Sequence, residues 1–170
     1  NKIYLMKKKI IILGSTGSIG EITLNIFKKD NKNFNIVLLS TNSNVKKVMK
    51  QATELNVKNV IINNKKDFLK AKKKYSKNKI NIFNDFDIIN KIFKKKEIYY
   101  SMISIVGLDG LKPAIILPKY TKNLAIVNKE SIICGWDLIK KKLNKNNTHF
   151  LPIDSEHFSL FTLLKNYSNK

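Results

Sequence analysis

An α/β fold with a doubly wound, mostly parallel sheet is what this sequence predicts, and three observations carry the expectation. Short apolar runs rich in Ile and Val recur along the chain, as buried parallel strands require. Segments whose apolar residues return at helical spacing alternate with them. The first run also ends directly in a glycine-rich turn that opens a helix.

The elements follow in order. Lys8–Leu13 reads as a buried strand ending at Gly14, and Ser18–Lys29 as a helix with Ile19, Ile22, Leu24, Ile26 and Phe27 supplying apolar contacts. A strand at 36–39 precedes a helix on which Val45, Val48, Met49, Ala52 and Leu55 share one face, with Asn44 as N-cap. A third strand at 60–62, a lysine-rich helix at 67–75, a strand at 80–83 and a short helix at 86–93 come next. The strand expected at 98–106 opens into Gly107-Leu108-Asp109-Gly110, and Pro113 suits the first turn of a helix at 112–117. A strand at 124–127 leads to a long amphipathic helix marked by Ile132, Ile133, Trp136, Ile139 and Leu143. A last strand at 150–153 runs into Asp154-Ser155-Glu156.

Composition narrows the class. With 170 residues and 43% hydrophobic content, the chain has room for one packed domain and the start of another. No apolar run approaches the roughly 20 residues that cross a bilayer, so no membrane partner is expected. No secretory signal is visible at the N-terminus. The single cysteine, Cys134, cannot make an internal disulfide, which fits a reducing cytoplasm, and it reads as a small core residue beside Trp136. The net charge of +21 suggests nucleic acid, but all 33 basic residues are lysines spread along the chain. Arginine is the better residue for bidentate phosphate and guanine contacts. The lysines therefore read as solvated helix faces that favour anionic, phosphorylated ligands, and no nucleic acid is expected. The chain starts at Asn1, with Met6 as a natural start just before the first strand, and its last segment has no terminating feature; a piece of a longer protein is expected.

The turn Gly14-Ser15-Thr16-Gly17-Ser18-Ile19-Gly20 carries the first chemistry. Gly14 allows a tight exit from the strand, Gly17 leaves room for a pyrophosphate, and Gly20 lets the helix pack close to the sheet. Backbone N–H groups and the helix dipole then face the phosphates, with Ser15, Thr16 and Ser18 as hydroxyl donors. After the second strand, enzymes that use NAD place an acid for the ribose hydroxyls. Here Asn42, Ser43 and Asn44 offer none, and Lys46 and Lys47 follow, which favours NADP; the same residues also suit a simple polar turn.

Two further motifs sit at strand ends, where open α/β sheets bind ligands. They are Asn128-Lys129-Glu130-Ser131 and Asp154-Ser155-Glu156-His157. Asp154 and Glu156 suit a hard cation such as Mg²⁺ or Mn²⁺, though an acid pair is also a common helix start. Lys129 and Glu130 read equally as a surface ion pair. His149 and His157 are the only histidines and give no metal constellation.

Together these segments resemble the 1-deoxy-D-xylulose 5-phosphate reductoisomerase family. The matching pieces are Ile11–Leu13 with G-S-T-G-S-I-G, Ile105-Val106-Gly107 through Gly110-Leu111-Lys112-Pro113, N-K-E-S at 128–131, Gly135, and Pro152-Ile153-Asp154-Ser155-Glu156-His157. The resemblance implies a Rossmann-type NADPH domain over 1–150 and, at 151–170, the start of a truncated catalytic, metal-binding domain. It implies NADPH- and Mn²⁺- or Mg²⁺-dependent conversion of a phosphorylated sugar, 1-deoxy-D-xylulose 5-phosphate, to 2-C-methyl-D-erythritol 4-phosphate, in a homodimer when full length. Gly14, Thr16, Gly17, Ser18, Ile19 and Gly20 would form the pyrophosphate cradle. Asn42, Ser43 and Asn44 would lie near the adenosine ribose phosphate, and Asn128 and Glu130 would touch NADPH. Lys129, Ser155 and Glu156 would contact substrate, Asp154 and Glu156 would bind metal, and Lys129, Asp154 and Glu156 would be the catalytic group.

The chain departs from the family where Ser43 replaces a usual basic residue, where Asn42 replaces a common glycine, and through Phe158-Ser159-Leu160-Phe161-Thr162. Members are more than twice as long, so the 170-residue piece is expected to bind NADPH weakly and not to turn over substrate. Two other readings make distinct demands. A different NADP-dependent reductase of the same fold would need no metal. A charge-driven nucleic-acid module would lose affinity steeply with salt and ignore NADPH.

Overall fold

The computed structural model describes residues 6–153. Strand β1 (Lys8–Leu13) sends Ile10 and Ile12 to one face of a sheet and Ile11 and Leu13 to the other, and all four are fully buried. A strand dry on both faces belongs at the centre of a sheet covered by helices. β2 (Phe34–Thr41), β3 (Asn59–Ile62) and β4 (Asn81–Phe83) extend the sheet on one side. β5 (Ile98–Ile103), β6 (Thr121–Ile126) and β7 (His149–Pro152) extend it on the other. The order is β4-β3-β2-β1-β5-β6-β7, and every pairing is parallel.

Helices α1 (Ser18–Lys29), α2 (Val45–Glu54) and α3 (Lys65–Lys74) cover the face that holds Ile10 and Ile12, through Leu24, Val48, Met49, Ala52 and Ala71. Helices α4 (Ile89–Ile92), α5 (Leu111–Ile116) and α6 (Lys129–Lys145) cover the other face through Ile89, Ala114, Ile139 and Leu143. Each of these Leu, Ile, Val and Met side chains removed from water contributes roughly 2 kcal/mol before chain entropy is counted, and the alanines less. Asn44 accepts a hydrogen bond from the Lys47 amide at 3.2 Å, as an N-cap should. Asn64 does the same for α3, which begins two residues before the expected start.

Several expectations are corrected. Ile19, Ile22 and Ile26 of α1 are exposed; of its five expected apolar contacts Leu24 and Phe27 face the sheet, beside Gly20 and Thr23. Gly20 brings this stripe of α1 close to the sheet. The strand expected to reach 106 stops at Ile103, although the Ser104 amide still bonds to the Leu13 carbonyl of β1; Val106 is 87% exposed. Cys134 is exposed rather than in the core, and Ile133 on the same helix is exposed too. In this part of α6, Gly135 and Ile139 face inward. Trp136 lies against Phe150 of β7 with ring centroids 5.3 Å apart. β7, which spans residue 150, pairs with β6 in the same sheet.

Candidate functional site

The strand order reverses at β1: the chain winds outward through β2, β3 and β4, then returns to add β5 on the other side. Crossovers leave the carboxyl ends of β1 and β5 in opposite directions, and a crevice opens between them. A cleft of about 480 Å³ lies there, lined by Gly17, Ser18, Ile19, Ser104, Val106, Asn128, Lys129 and Glu130, among others. A second recess of about 270 Å³ continues past the turn toward β2, against Gly14, Thr16, Gly17, Thr41, Asn42 and Asn63.

The three glycines of the turn differ in what demands them. Gly14 has φ +81°, and a Cβ there would lie 2.4 Å from the Ser104 carbonyl oxygen. A Cβ on Gly20 would lie 2.2 Å from the Gly14 oxygen. Gly17 has ordinary extended angles, and its Cβ would meet only one atom, at a comfortable 3.5 Å. Folding therefore requires Gly14 and Gly20, whereas the missing side chain at Gly17 leaves space in the cleft it lines.

Gly17 is also the N-cap of α1, and no side chain caps that helix. The first helical hydrogen bond runs from the Glu21 amide to the Gly17 carbonyl at 2.9 Å. The amides of Thr16, Ser18 and Ile19 find no acceptor among the described residues. Open donors at the positive end of a helix, with a glycine clearing the approach, fit the pyrophosphate of a dinucleotide.

A network that sequence reasoning missed holds the turn. Ser40 of β2 accepts from the Gly14 amide through its hydroxyl and from the Ser15 amide through its carbonyl, both at 2.9 Å. Ser104 donates its hydroxyl to the carbonyls of Leu13 and Gly14 at 2.9 and 3.2 Å. The Ser15 hydroxyl, expected to face phosphate, is fully buried and donates to Gln51 Oε1 at 2.8 Å. Thr16 lines the second recess, but its hydroxyl pairs with that of Thr41 at 2.8 Å. Of the three expected hydroxyl donors, only Ser18 stays exposed in the cleft.

At the end of β2, Asn42, Ser43 and Asn44 are exposed. Lys47 is committed: its ammonium pairs with Glu21 at 2.8 Å and donates to the Thr16 carbonyl at 3.1 Å. Lys46 is exposed and makes no ion pair among the described residues.

Across the cleft, Asn128 is the N-cap of α6 and only 8% exposed, yet its side chain does not cap the helix. It donates to the Gly107 carbonyl instead, and its Oδ1 is buried without a partner. A buried acceptor lacking a donor costs free energy unless a ligand supplies one. A Cβ on Gly110 would come within 3.2 Å of that Oδ1, so Gly110 makes room for the carboxamide. Lys129 is exposed and Glu130 half-buried at the same rim, and they do not pair with each other. Below the rim, Lys112 bridges Asp85 at 2.7 Å and Asp87 at 2.8 Å. Its ammonium holds the Asp85 carboxyl below the usual range, and the two carboxylates raise the Lys112 ammonium.

Among the described residues, no group of three or more His, Cys, Asp or Glu is placed to hold a metal ion. The expected metal and substrate residues Asp154, Ser155 and Glu156 lie outside the described residues. No helix among the described residues is long and apolar enough to cross a membrane.

Known proteins match this arrangement. The sequence profile of the 1-deoxy-D-xylulose 5-phosphate reductoisomerase family matches residues 10–135. The enzyme of that name from Pelagibacter ubique is 55% identical over 160 residues, which are 94% of this chain and 41% of that protein. The Thermotoga maritima enzyme is 32% identical over 94% of this chain and 40% of its own length. The chain thus spans about two fifths of the relatives it matches. The fold superimposes on the Zymomonas mobilis reductoisomerase in complex with NADPH with a TM-score of 0.79, at 26% identity, covering 89% of this chain and 40% of that one. A DOX-P reductoisomerase in complex with NADPH, fosmidomycin and magnesium gives a TM-score of 0.79 at 28% identity, over 88% of this chain and 37% of that one.

Proposed function

Since the chain belongs to the 1-deoxy-D-xylulose 5-phosphate reductoisomerase family, we propose that it forms the NADPH-binding part of an enzyme converting 1-deoxy-D-xylulose 5-phosphate to 2-C-methyl-D-erythritol 4-phosphate. One observation supports this most strongly. The uncapped start of α1, with Gly17 vacant toward the cleft, and Asn128, whose buried Oδ1 has no partner among the described residues, line one cleft between β1 and β5. A dinucleotide in that cleft meets the open donors of the turn and lies against Asn128.

Thr16, Gly17, Ser18 and Ile19 hold the pyrophosphate by backbone donors, with Gly14 and Gly20 shaping the turn. Asn42, Ser43 and Asn44 receive the adenosine ribose phosphate, with exposed Lys46 as the cation nearest in sequence that is free to meet it. Asn128 and Glu130 position the nicotinamide half. When bound, NADPH supplies hydride, and a divalent cation polarises the substrate's carbonyl and hydroxyl oxygens. Asp154 and Glu156 offer the hard carboxylate oxygens that Mg²⁺ or Mn²⁺ prefers, while Lys129, Ser155 and Glu156 hold the phosphorylated sugar. The cofactor domain takes residues 1–150 and the catalytic domain starts over 151–170, with β7 at the join. The full-length enzyme works in the cytoplasm as a homodimer, without nucleic acid or membrane.

The test is NADPH oxidation by the full-length protein with 1-deoxy-D-xylulose 5-phosphate, with and without Mn²⁺ or Mg²⁺. Turnover that needs both metal and substrate is expected. Full rate in chelator, or no rate with metal and substrate present, overturns the proposal.

A further inference from the structure

Helix α2 carries two donors one turn apart, Lys47 and Gln51, and both reach the glycine turn. Gln51 Nε2 donates to the Ser15 carbonyl at 3.0 Å, and Lys47 Nζ donates to the Thr16 carbonyl at 3.1 Å. Gln51 is buried, and its other amide atom, Oε1, accepts from the Ser15 hydroxyl at 2.8 Å, so its orientation is fixed. In a trans peptide the C=O and N–H point in opposite directions. Pulling the Ser15 oxygen toward α2 therefore turns the Thr16 N–H away from α2. That N–H is one of the open donors of the turn.

We infer that Gln51, assisted by Lys47, is a positioning residue for dinucleotide binding: it holds the Ser15 carbonyl back from the cleft so that the turn presents N–H groups, not oxygens, to a pyrophosphate. The inference rests on the NADPH reading above. Gln51 is the donor that holds the Ser15 oxygen among the described residues; without it that oxygen can turn toward the cleft, and a carbonyl oxygen facing a phosphate oxygen repels it.

The experiment titrates the full-length protein with NADPH and, separately, with adenosine 2′-monophosphate, which lacks the pyrophosphate. Gln51→Met fills a similar volume and cannot donate. It is expected to weaken NADPH by about tenfold, the order of one lost charge-assisted hydrogen bond, and to leave adenosine 2′-monophosphate within twofold. Equal losses for both ligands mark a general loosening of the domain and overturn the inference, as does unchanged NADPH affinity in Gln51→Met. If Gln51→Met does not fold, Gln51→Leu, which also cannot donate to the Ser15 carbonyl, carries the same comparison with the same criteria. A wild-type protein that binds no NADPH removes the premise, which separates that failure from a variant that binds as tightly as wild type.

Discussion

Asn128 donates its carboxamide to the Gly107 carbonyl at 2.6 Å, and so fastens the turn after β6 to the turn after β5 across the mouth of the cleft. Gly107 sits at φ +73°, a backbone state that this bond helps to hold. Asn128→Ala is expected to cost about 1 kcal/mol of stability in urea titrations. It should cost NADPH affinity as well, because the unpartnered Oδ1 is lost with the side chain. Asn128→Asp keeps an acceptor but removes the donor to Gly107, and should weaken NADPH further by adding a negative charge to the cleft that takes an anionic cofactor.

Gly17 and Gly20 should separate binding from folding. Gly20→Ala forces a Cβ to 2.2 Å from a backbone oxygen and is expected to destabilise by about 3 kcal/mol, read as a lowered unfolding midpoint. Gly17→Ala has room on the protein side, with its nearest contact at 3.5 Å. It should unfold like wild type yet bind NADPH at least several-fold more weakly. Equal NADPH affinity in Gly17→Ala would show that the cleft does not take a ligand against that residue.

The Lys112 bridge predicts a pH dependence. The Asp85 carboxyl is lowered from its ordinary value of 3.8, chiefly by the Lys112 hydrogen bond. A depressed carboxyl adds stability that is complete above the unfolded value and disappears as pH falls through the folded one. Unfolding temperature should therefore drop below about pH 4 more steeply in wild type than in Lys112→Met. Both side chains are about half exposed, so the difference should be small and should shrink further in salt. A Lys112→Met profile parallel to wild type below pH 4 would show that the bridge contributes nothing.

Cofactor choice can be tested at the end of β2. Lys47 is tied to Glu21 and Thr16, so of the two lysines that follow Asn44 it is Lys46 that is free to meet a 2′-phosphate. Lys46→Ala is expected to narrow the preference for NADPH over NADH, and Ser43→Lys to widen it. Ratios of kcat/KM for the two cofactors decide the matter, and an unchanged ratio in Lys46→Ala excludes that side chain.

Asp154→Asn should abolish metal-dependent turnover while leaving NADPH affinity intact. A carboxamide keeps the shape of the side chain but removes the charge a divalent cation needs. Fluorescence titration with NADPH beside an activity assay separates the two effects.

The alternation of strands and helices was legible because parallel strands buried on both faces read as unbroken apolar runs, such as Ile10–Leu13. The glycine turn was legible because its spacing follows a continuous stretch of backbone. What escaped depends on partners distant in sequence. Gln51 is one polar residue on a helix, and its partner Ser15 lies 36 positions away. A bulge in β2 shifts its register against β1 between Ile10 and Ile11, so that Leu38 faces one core while Ile36 and Leu39 face the other. Strict alternation hides that. The isoleucines of α1 misled because helical spacing alone cannot say which stripe packs, and Gly20 brings the other one close to the sheet. Ser104 carried a weak signal, as a polar residue interrupting an apolar run at the expected end of a strand.

Gly14 rests against the Ser104 carbonyl, and β1 lies between β2 and β5, which gives the chain a particular order of events during synthesis. The glycine turn is translated well before its floor, Ser104, which comes ninety residues later. Until β5 emerges, a nascent chain can pair β1 only with β2, which leaves one edge of the central strand bare. Long-range pairing of this kind forms late and slowly. The glycine turn thus matures only after a much later segment has arrived, and the unpaired backbone edge of β1 is what a growing chain must keep from other strands until then.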